Sequence, residues 1–162
     1  MRWLGLALVL IIVCFSFVLL FGPPYVPTLS KQVETAMKLV DLKPGETLLE
    51  LGCGDGKVLV AAAARGWKAV GYELNPLLVI VSKWRTRHYR KLVKVKWGNF
   101  WRSNWPAAQG IFVFILPRQM NKLDKKIMQS ASRPVKLVSF AFVIPDKKAA
   151  KESDSVYLYE YR

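Results

Sequence analysis

A short apolar run that is followed at once by alternating glycines constrains the fold of this chain most strongly. Thr47–Leu51 has the length and composition of a buried strand, and Gly52–Gly56 has a glycine at every second position. Lys57–Arg65 is rich in alanine and predicts a helix. Glycine permits a tight turn and lets a ligand approach the backbone closely. The sequence therefore predicts a strand–loop–helix unit with a ligand site at the loop.

The rest of the chain alternates short apolar runs with helical patterns. Further helices are predicted at residues 76–89, where a proline suits the first turn, and at Gln119–Ser130. Alternation of this kind indicates βαβ units, and hence an α/β fold with helices on both faces of a parallel sheet. Five further strands are predicted: Ala69–Tyr72, Leu92–Trp97, Ile111–Leu116, Val135–Ile144 and Val156–Tyr161.

The end of the chain departs from this alternation. Only eleven residues separate Ile144 from Val156, and they are mostly polar, which leaves no room for a helical crossover. The last strand is therefore expected to return antiparallel beside the fifth. We predict a Rossmann-like, mostly parallel six-stranded sheet with an antiparallel C-terminal edge strand, in a domain that covers residues 47–162.

An apolar segment precedes this domain. Trp3–Phe21 is apolar apart from Gly5 and Ser16, and its 19 residues would measure roughly 28 Å as a helix, close to the ~30 Å core of a bilayer. We predict one transmembrane helix within residues 1–22. A cleaved signal peptide fits less well, because the run is long and no A-x-A-like site follows it. A helix that is apolar on all sides also does not suit the core of so small a domain.

Residues 23–46 are expected to form a hinge and a short helix. Three prolines in Gly22–Thr28 favour an extended hinge, and Thr28 or Ser30 can cap a helix at Lys31–Val40. Lysines follow the predicted span, whereas only Arg2 precedes it, so the positive-inside tendency places the C-terminal domain in the cytoplasm. The apolar face of the helix would consist of Val33, Ala36, Met37 and Val40.

Charged residues around the glycine loop select the class of ligand. Glu50 precedes the loop, where an acid would repel the pyrophosphate of a dinucleotide. Lys57 stands where a dinucleotide fingerprint has its third glycine. Glu73 follows the second strand, 17 residues beyond Gly56, where a carboxylate can accept both ribose hydroxyls. Together these residues favour S-adenosylmethionine, which has no phosphate and offers an ammonium to Glu50.

Glu50–Gly56 resembles motif I of the class I methyltransferases, and Glu73 resembles the acid after their second strand. That fold often carries a Gly-Asp pair near the adenine; here Gly98 is followed by Asn99, whose amide can still accept from the adenine amine. Phe100 would pack either on the adenine or in the core. The resemblance implies that the cofactor contacts Glu50, Gly52, Cys53, Gly54, Gly56, Glu73, Leu74, Asn99 and Phe100.

A narrower resemblance is carried by Tyr25–Thr28 (Tyr-Val-Pro-Thr), Glu50–Gly56 and Gly71–Pro76 (Gly-Tyr-Glu-Leu-Asn-Pro). These segments resemble the membrane-anchored protein-lysine methyltransferases of the adenine nucleotide translocase and ATP synthase c-subunit group, and their prokaryotic relatives. The resemblance spans about Leu4–Pro145. It implies N-methylation of a lysine in a protein substrate by a membrane-tethered enzyme. It also implies that Tyr25 and Thr28 lie near the cofactor site and help to close it.

The sequence identifies no catalytic base, and other acceptors stay open. Phe114–Pro117, at the end of the fourth strand, lacks the Asn/Asp-Pro-Pro-aromatic motif of enzymes that methylate exocyclic base amines. Cys53 lies in the loop and Cys14 in the predicted span, so neither suits a cytosine-attacking nucleophile, a disulfide or a metal site with His88. An RNA or small-molecule methyltransferase and a non-catalytic cofactor-binding or membrane-interaction module remain alternatives.

The chain is strongly basic, with a net charge of +14. No acid lies between Glu73 and Asp124, and the stretch Lys83–Lys96 contains seven lysines and arginines, with Trp84 and Tyr89 among them. Such a stretch is typical of a solvated helix face, of a surface that contacts anionic lipid, or of one that binds nucleic acid. The sequence alone does not decide among the three.

Overall fold

A computed structural model describes residues 3–5, 9, 12, 28–131 and 134–162 of the chain. Of the predicted span Trp3–Phe21, only residues 3–5, 9 and 12 are among them, and all five are helical. In the described part of the chain, no helix has both the length and the apolar composition that crossing a bilayer requires.

A mixed β-sheet forms the centre of the described structure. Its strands are β1 (Thr47–Leu51), β2 (Lys68–Glu73), β3 (Val93–Trp97), β4 (Gly110–Val113), β5 (Val135–Phe140), β6 (Lys151–Ser153) and β7 (Val156–Tyr161). They lie in the order β3-β2-β1-β4-β5-β7-β6. The first five are parallel, and β7 runs antiparallel to both β5 and β6.

Four α-helices connect or flank the strands: α1 (Ser30–Val40), α2 (Lys57–Ala63), α3 (Pro76–Arg85) and α4 (Met120–Ser130). Two short 3-10 helices accompany them, one at Arg87–Tyr89 between α3 and β3 and one at Pro117–Gln119 before α4. The predicted βαβ alternation is confirmed, and so is the antiparallel return of the last strand beside the fifth.

The predicted count of six strands is wrong, because a seventh, β6, forms the edge of the sheet. Asp154 and Ser155 both have positive φ, and they join β6 to β7 as a two-residue hairpin loop. All three residues of Lys151–Ser153 are exposed. An edge strand without a buried face shows no hydrophobic alternation, and that is why the sequence pattern did not reveal it.

Several predicted boundaries also need correction: β4 ends at Val113 rather than Leu116, and the Ala-rich helix ends at Ala63 rather than Arg65. β5 ends at Phe140 rather than Ile144, because Ala141 adopts a left-handed conformation with φ 68°. The Thr28 or Ser30 cap is wrong: Leu29 occupies the N-cap of α1, and no side chain caps the helix there. The helix from Pro76 ends at Arg85 and is followed by a 3-10 turn.

Both faces of the sheet are covered, because successive residues of a strand point to opposite sides. Leu48 packs in one core with α2 and with the predicted apolar face of α1: Val33, Ala36, Met37 and Val40. Leu49 packs in the opposite core, where α4 buries Met120, Leu123 and Ile127. This sandwich fixes the carboxyl ends of β1, β2 and β4 at one edge of the sheet.

A polar brace joins α4 to the last strand. Asp124 Oδ1 accepts hydrogen bonds from Tyr161 Oη at 2.7 Å and from Lys147 Nζ at 2.8 Å. Partial burial opposes the charge of Asp124, but these two hydrogen bonds and the charge of Lys147 together hold the pKa of this carboxyl below its ordinary value. Burial, and then the hydrogen bond to Asp124, raises the pKa of Tyr161.

We expect Asp124→Asn to lower the free energy of unfolding by about 1–2 kcal/mol near pH 7, since hydrogen bonds to a charged group exceed neutral ones. The pKa of Asp124 is lower in the folded state than in the unfolded state. Its contribution is therefore present above the unfolded pKa and disappears as the pH falls through the folded pKa. Urea unfolding at neutral and acidic pH measures both effects.

The exposed Asp146 provides the matched control. Asp146→Asn should leave the unfolding free energy nearly unchanged at either pH. A destabilisation of the Asp124 variant that persists undiminished in acid would contradict the charged brace.

Candidate functional site

The three glycines after β1 form a loop whose backbone is held by the neighbouring strand. The amides of Gly52 and Cys53 both donate to the carbonyl of Tyr72 on β2, each at 2.9 Å. Gly52, Gly54 and Gly56 have φ values of 89°, 50° and 80°, in the left-handed region that glycine enters without steric cost. The chain therefore turns sharply from the carboxyl end of β1 into α2.

The loop glycines serve different purposes. A Cβ at Gly52 would meet no atom within 4 Å, so the backbone there borders open space. A Cβ at Gly56 would lie 2.4 Å from Oγ of Ser82 on α3, and one at Gly71 would lie 2.7 Å from Cβ of Cys53. Gly56 and Gly71 thus permit close packing of the loop, α3 and β2, whereas Gly52 leaves the loop accessible to a ligand.

Glu73, the last residue of β2, contacts the glycine loop directly. Its Oε2 accepts from the amide of Gly54 and its Oε1 accepts from the amide of Asn75, both at 2.8 Å. Each oxygen of a carboxylate can accept more than one hydrogen bond, so both can also accept from a ligand hydroxyl. The protein's own backbone therefore fixes this carboxylate beside the loop.

Glu50 lies in β1 just before the loop and is only 4% exposed. Its Oε2 has no hydrogen-bond partner among the described residues. Burial raises the pKa of Glu50 well above its ordinary value, and the negative charges of Asp55 and Glu73 raise it further. A buried carboxyl without a partner is unfavourable, so this arrangement suits a cationic group of a ligand.

Two residues that hold the loop were not predicted from the sequence. Asp55 forms an ion pair with Arg85 on α3, with 3.0 Å between Oδ2 and Nη1, and it accepts from the amide of Lys57 at 3.1 Å. Asn75 caps α3 by accepting from an amide of the first turn at 2.9 Å. An Asn before a Pro is a recognisable start of a helix, so the sequence could have indicated the capping role of Asn75. No sequence pattern indicates the ion pair between Asp55 and Arg85.

The segment before α1 reaches the start of α2. Lys57 Nζ donates to the carbonyl of Thr28 at 3.0 Å. This contact brings Thr28 close to the glycine loop. Tyr25, the other residue that the resemblance places near the site, lies outside the described residues.

The turn after β3 is tied to Glu73 through the backbone. The amide of Gly98 donates to the carbonyl of Glu73 at 2.9 Å. Asn99 Oδ1 accepts from the amide of Trp101 at 2.9 Å, which fixes the turn. The half-buried ring of Phe100 packs on Trp101, with 4.7 Å between ring centroids. Asn99 and Phe100 therefore lie in a turn whose first residue, Gly98, is hydrogen-bonded to the acid at the end of β2.

Cys53 and Leu74 complete the predicted set. Cys53 is buried, with its Sγ 3.9 Å from Oγ of Ser82. Burial, and then the charges of the nearby glutamates, raises the pKa of the Cys53 thiol well above its ordinary value, so the thiol stays protonated and is a poor nucleophile. Leu74 is half-buried after β2. Within the described ranges, no cluster of His, Cys, Asp and Glu could hold a metal ion.

Fold and site together define a Rossmann-like methyltransferase of the S-adenosylmethionine-dependent class. An RNA methyltransferase from Salinibacter ruber, solved in complex with S-adenosylhomocysteine, aligns with a TM-score of 0.79 and 25% identity over 83% of this chain and 93% of that one. The family described as ANTKMT methyltransferase domain matches residues 50–151, and the chain belongs to this family. The resemblance to the protein-lysine methyltransferases is thereby confirmed.

Two relatives show the extent of the match. The lysine N-methyltransferase of the ATP synthase c-subunit from Homo sapiens is 31% identical over 145 residues, which cover 85% of this chain and 61% of that protein. A protein-lysine N-methyltransferase of Saccharolobus islandicus is 29% identical over 151 residues, which cover 84% of this chain and 92% of that protein. The chain thus spans about three-fifths of the length of the human relative.

S-adenosylmethionine fits the residues of this site. The buried, unpartnered carboxyl of Glu50 would suit its ammonium, and the carboxylate of Glu73 has the capacity to accept from its ribose hydroxyls. The open backbone at Gly52 lets a ligand approach the loop. S-adenosylmethionine is accordingly the cofactor of this chain.

We expect Glu50→Gln to weaken binding of S-adenosylhomocysteine by about 10- to 100-fold, the cost of losing a charged hydrogen bond. The affinity of the unaltered chain should also rise with pH over the range above the ordinary pKa of a carboxyl, because the carboxyl of Glu50, whose pKa is raised, must lose a proton to pair with the ammonium. Calorimetry across this range measures both effects, and the variant should show no rise.

Glu46→Gln is the matched control for Glu50→Gln, since Glu46 precedes the amino end of the same strand. It should bind with the affinity of the unaltered chain. If Glu50→Gln also does so at every pH, the carboxyl of Glu50 does not meet the ammonium.

Glu73→Gln tests the ribose contact separately from the contact with Gly54. The variant should lose about tenfold or more in affinity for S-adenosylhomocysteine, but less for its 2′-deoxy analogue, because one of the two hydroxyls that Glu73 would accept from is missing there. Calorimetry with both ligands gives the comparison. An equal loss with both ligands would restrict Glu73 to holding the loop.

Proposed function

We propose that this chain is a membrane-tethered, S-adenosylmethionine-dependent methyltransferase that N-methylates a lysine of a protein substrate. The observation that carries the proposal is the buried, unpartnered Glu50 beside the loop-bound Glu73, in a family with lysine methyltransferases among its relatives. The acceptors named for two relatives differ, being the ATP synthase c-subunit and the adenine nucleotide translocase. We therefore assign the acceptor only by class, as a lysine side chain of a membrane protein.

The proposed cofactor contacts divide by position. Glu50 would pair with the ammonium and Glu73 with the ribose, while Asn99 and Phe100 would lie near the adenine. Gly56 shapes the loop through its packing on α3. The remaining residues would line the site or close it: Gly52, Cys53, Gly54, Leu74, Tyr25 and Thr28.

In the proposed reaction, the ammonium of the acceptor lysine would first release a proton to solvent. Its uncharged Nζ could then attack the methyl carbon in line with the carbon–sulfur bond. The electron pair of that bond would stay on sulfur, and the product would be a methylated ammonium. The bound cofactor supplies an already activated methyl group, so alignment and exclusion of water provide most of the acceleration. A free lysine has a pKa near 10.4, and burial lowers it toward the uncharged form.

An aromatic cluster at the carboxyl ends of β4 and β5 suits this desolvation. The ring centroid of Phe114 lies 4.7 Å from that of Phe140 and 6.2 Å from that of Phe142. All three side chains are half-buried. Ligands of parallel α/β sheets bind outside the carboxyl ends of the strands. We propose that this aromatic cluster forms the wall of the pocket that surrounds the acceptor amine.

We further propose the division of the chain into an anchor within residues 1–22, a hinge with the N-terminal helix at 23–46 and the methyltransferase domain at 47–162. Support for the placement of the hinge comes from Lys57, whose ammonium contacts the carbonyl of Thr28 beside the loop. A single pass with the domain in the cytoplasm follows from the lysines after the segment. A hinge of this length would keep the acceptor site near the bilayer.

Methylation of RNA is a second candidate, and two observations favour it. The Salinibacter ruber protein, which aligns over 93% of its own length, is an RNA methyltransferase. The basic stretch Lys83–Lys96 offers charge for phosphates. Against it, Phe114–Pro117 lacks the motif of enzymes that methylate exocyclic base amines.

The acceptor class is tested in two separate incubations. Each contains the full chain and radiolabelled S-adenosylmethionine, one with cell membranes and the other with total RNA. We expect label in the membrane fraction as methyl-lysine, identified by mass spectrometry of acid hydrolysates. Glu50→Gln should reduce the label at low cofactor concentration. Label in RNA alone would reject the lysine acceptor, and no label in either fraction despite cofactor binding would indicate a non-catalytic module.

A further inference from the structure

The outer face of α3 exposes large apolar side chains outside the candidate cofactor site. Ile80 is 64% exposed and Trp84 is 65% exposed, although the helix buries Val79 and Ser82 on its other face. Residues four apart on a helix lie on the same side, so Ile80 and Trp84 are neighbours. Adjacent exposed apolar residues of this size mark interaction surfaces more often than isolated ones do.

Cationic side chains surround this apolar pair. The guanidinium of Arg87 lies 4.3 Å from the ring centroid of Trp84, and its Nη1 donates to the carbonyl of Trp84 at 2.9 Å. Lys83, Arg87 and Arg90 border an open recess of about 370 Å³ whose wall includes Val93 and Val95 of β3. We call the set Ile80, Lys83, Trp84, Arg87 and Arg90 the α3–β3 surface.

The positive charge of the α3–β3 surface is not neutralised by the protein. Arg85, the neighbouring cation, is paired with Asp55 at 3.0 Å. Among the described residues, no salt bridge joins Lys83, Arg87 or Arg90 to an acid. No acidic residue lies between Glu73 and Asp124 in the sequence. The surface therefore complements a partner that is anionic and also accepts apolar side chains.

We propose that the α3–β3 surface docks on an anionic lipid bilayer. Trp84 and Ile80 would enter the interfacial layer, where tryptophan is favoured, and the three cations would contact headgroup phosphates. Each basic residue near an anionic surface strengthens binding by roughly fivefold. A lipid fits better than a nucleic acid, because Arg87 already covers a face of Trp84, and Ile80, Val93 and Val95 offer no ring on which a base could stack.

The docking rests on the proposed function in one respect, which is the position of the acceptor. α3 begins beside Glu73, and Ile80 and Trp84 follow Asn75 by five and nine residues, or about 7.5 and 13.5 Å along the helix axis. Docking through α3 would therefore hold the cofactor site close to the headgroups, where a lysine of a membrane protein would be presented.

Trp84 fluorescence in the full chain tests the docking without any methyl transfer. The chain is mixed with nanodiscs of phosphatidylcholine alone or with about a third phosphatidylserine, each with and without bromine on the upper acyl carbons. The difference between the chain and its Trp84→Phe variant isolates Trp84. We expect bromine quenching of Trp84 to be at least about twofold stronger in anionic discs and to disappear near 0.5 M salt.

Two triple variants of equal charge change sharpen the experiment. Lys83→Glu, Arg87→Glu and Arg90→Glu together should abolish the quenching that depends on anionic lipid. Lys38→Glu, Lys125→Glu and Lys148→Glu together, at exposed positions outside the surface, should retain most of it. Calorimetry with S-adenosylhomocysteine confirms that both variants fold.

Three results would overturn the proposal. One is equal quenching in neutral and anionic discs, and another is an equal loss of quenching in the two triple variants. The third is a response of Trp84 to a single-stranded RNA oligonucleotide with none to anionic discs, which would assign the surface to nucleic acid. Each of these results is separate from a failure of lysine methylation, since the readout does not involve the acceptor.

Discussion

Two hydrogen bonds from backbone amides to the carboxylate of Glu73 organise the candidate site. One comes from Gly54 in the glycine loop and the other from Asn75 at the start of α3, so a single side chain joins two connections of the sheet. The backbone carbonyl of the same residue holds the turn after β3 through Gly98. Parallel pairing of β1 with β2 and of β2 with β3 makes this junction geometrically available. The geometry of the site therefore depends on how the carboxyl ends of β1, β2 and β3 lie side by side, more than on any one loop.

The charge of the residues at this junction is opposite in sign to the net charge of the chain. Glu50, Asp55 and Glu73 lie close enough for their charges to interact, in a protein whose net charge is +14. Of these three acids, only Asp55 forms an ion pair within the described part of the chain, and its partner is Arg85. Natural sequences break local rules of burial and pairing mainly where function requires it. A cluster of acidic residues inside a basic protein favours a cationic ligand, whereas the basic outer surface favours anions.

Much of the fold could be predicted from local sequence patterns, and the predictions failed where a feature leaves no such pattern. The bounds of β1 follow from its apolar run and the glycines after it, and the buried face of α1 follows from helical periodicity. The antiparallel return follows from a connection too short for a helix. The edge strand β6 buries nothing and so left no pattern. In the site, the glycines and both glutamates could be identified from the sequence. The ion pair of Asp55 with Arg85 could not, because it depends on how α3 packs against the loop, and the two residues lie 30 positions apart in the chain.

Binding of the cofactor at the unpartnered carboxyl of Glu50 would also connect cofactor supply with the lifetime of the protein. A ligand that binds only the folded state stabilises it by mass action, and here the ligand would satisfy a buried group that otherwise lacks a partner among the described residues. Proteolysis draws on opened molecules, whose population falls as the folded state is stabilised. A cell short of the methyl donor would therefore degrade more of this protein. Its methylating capacity would decline through abundance as well as through occupancy.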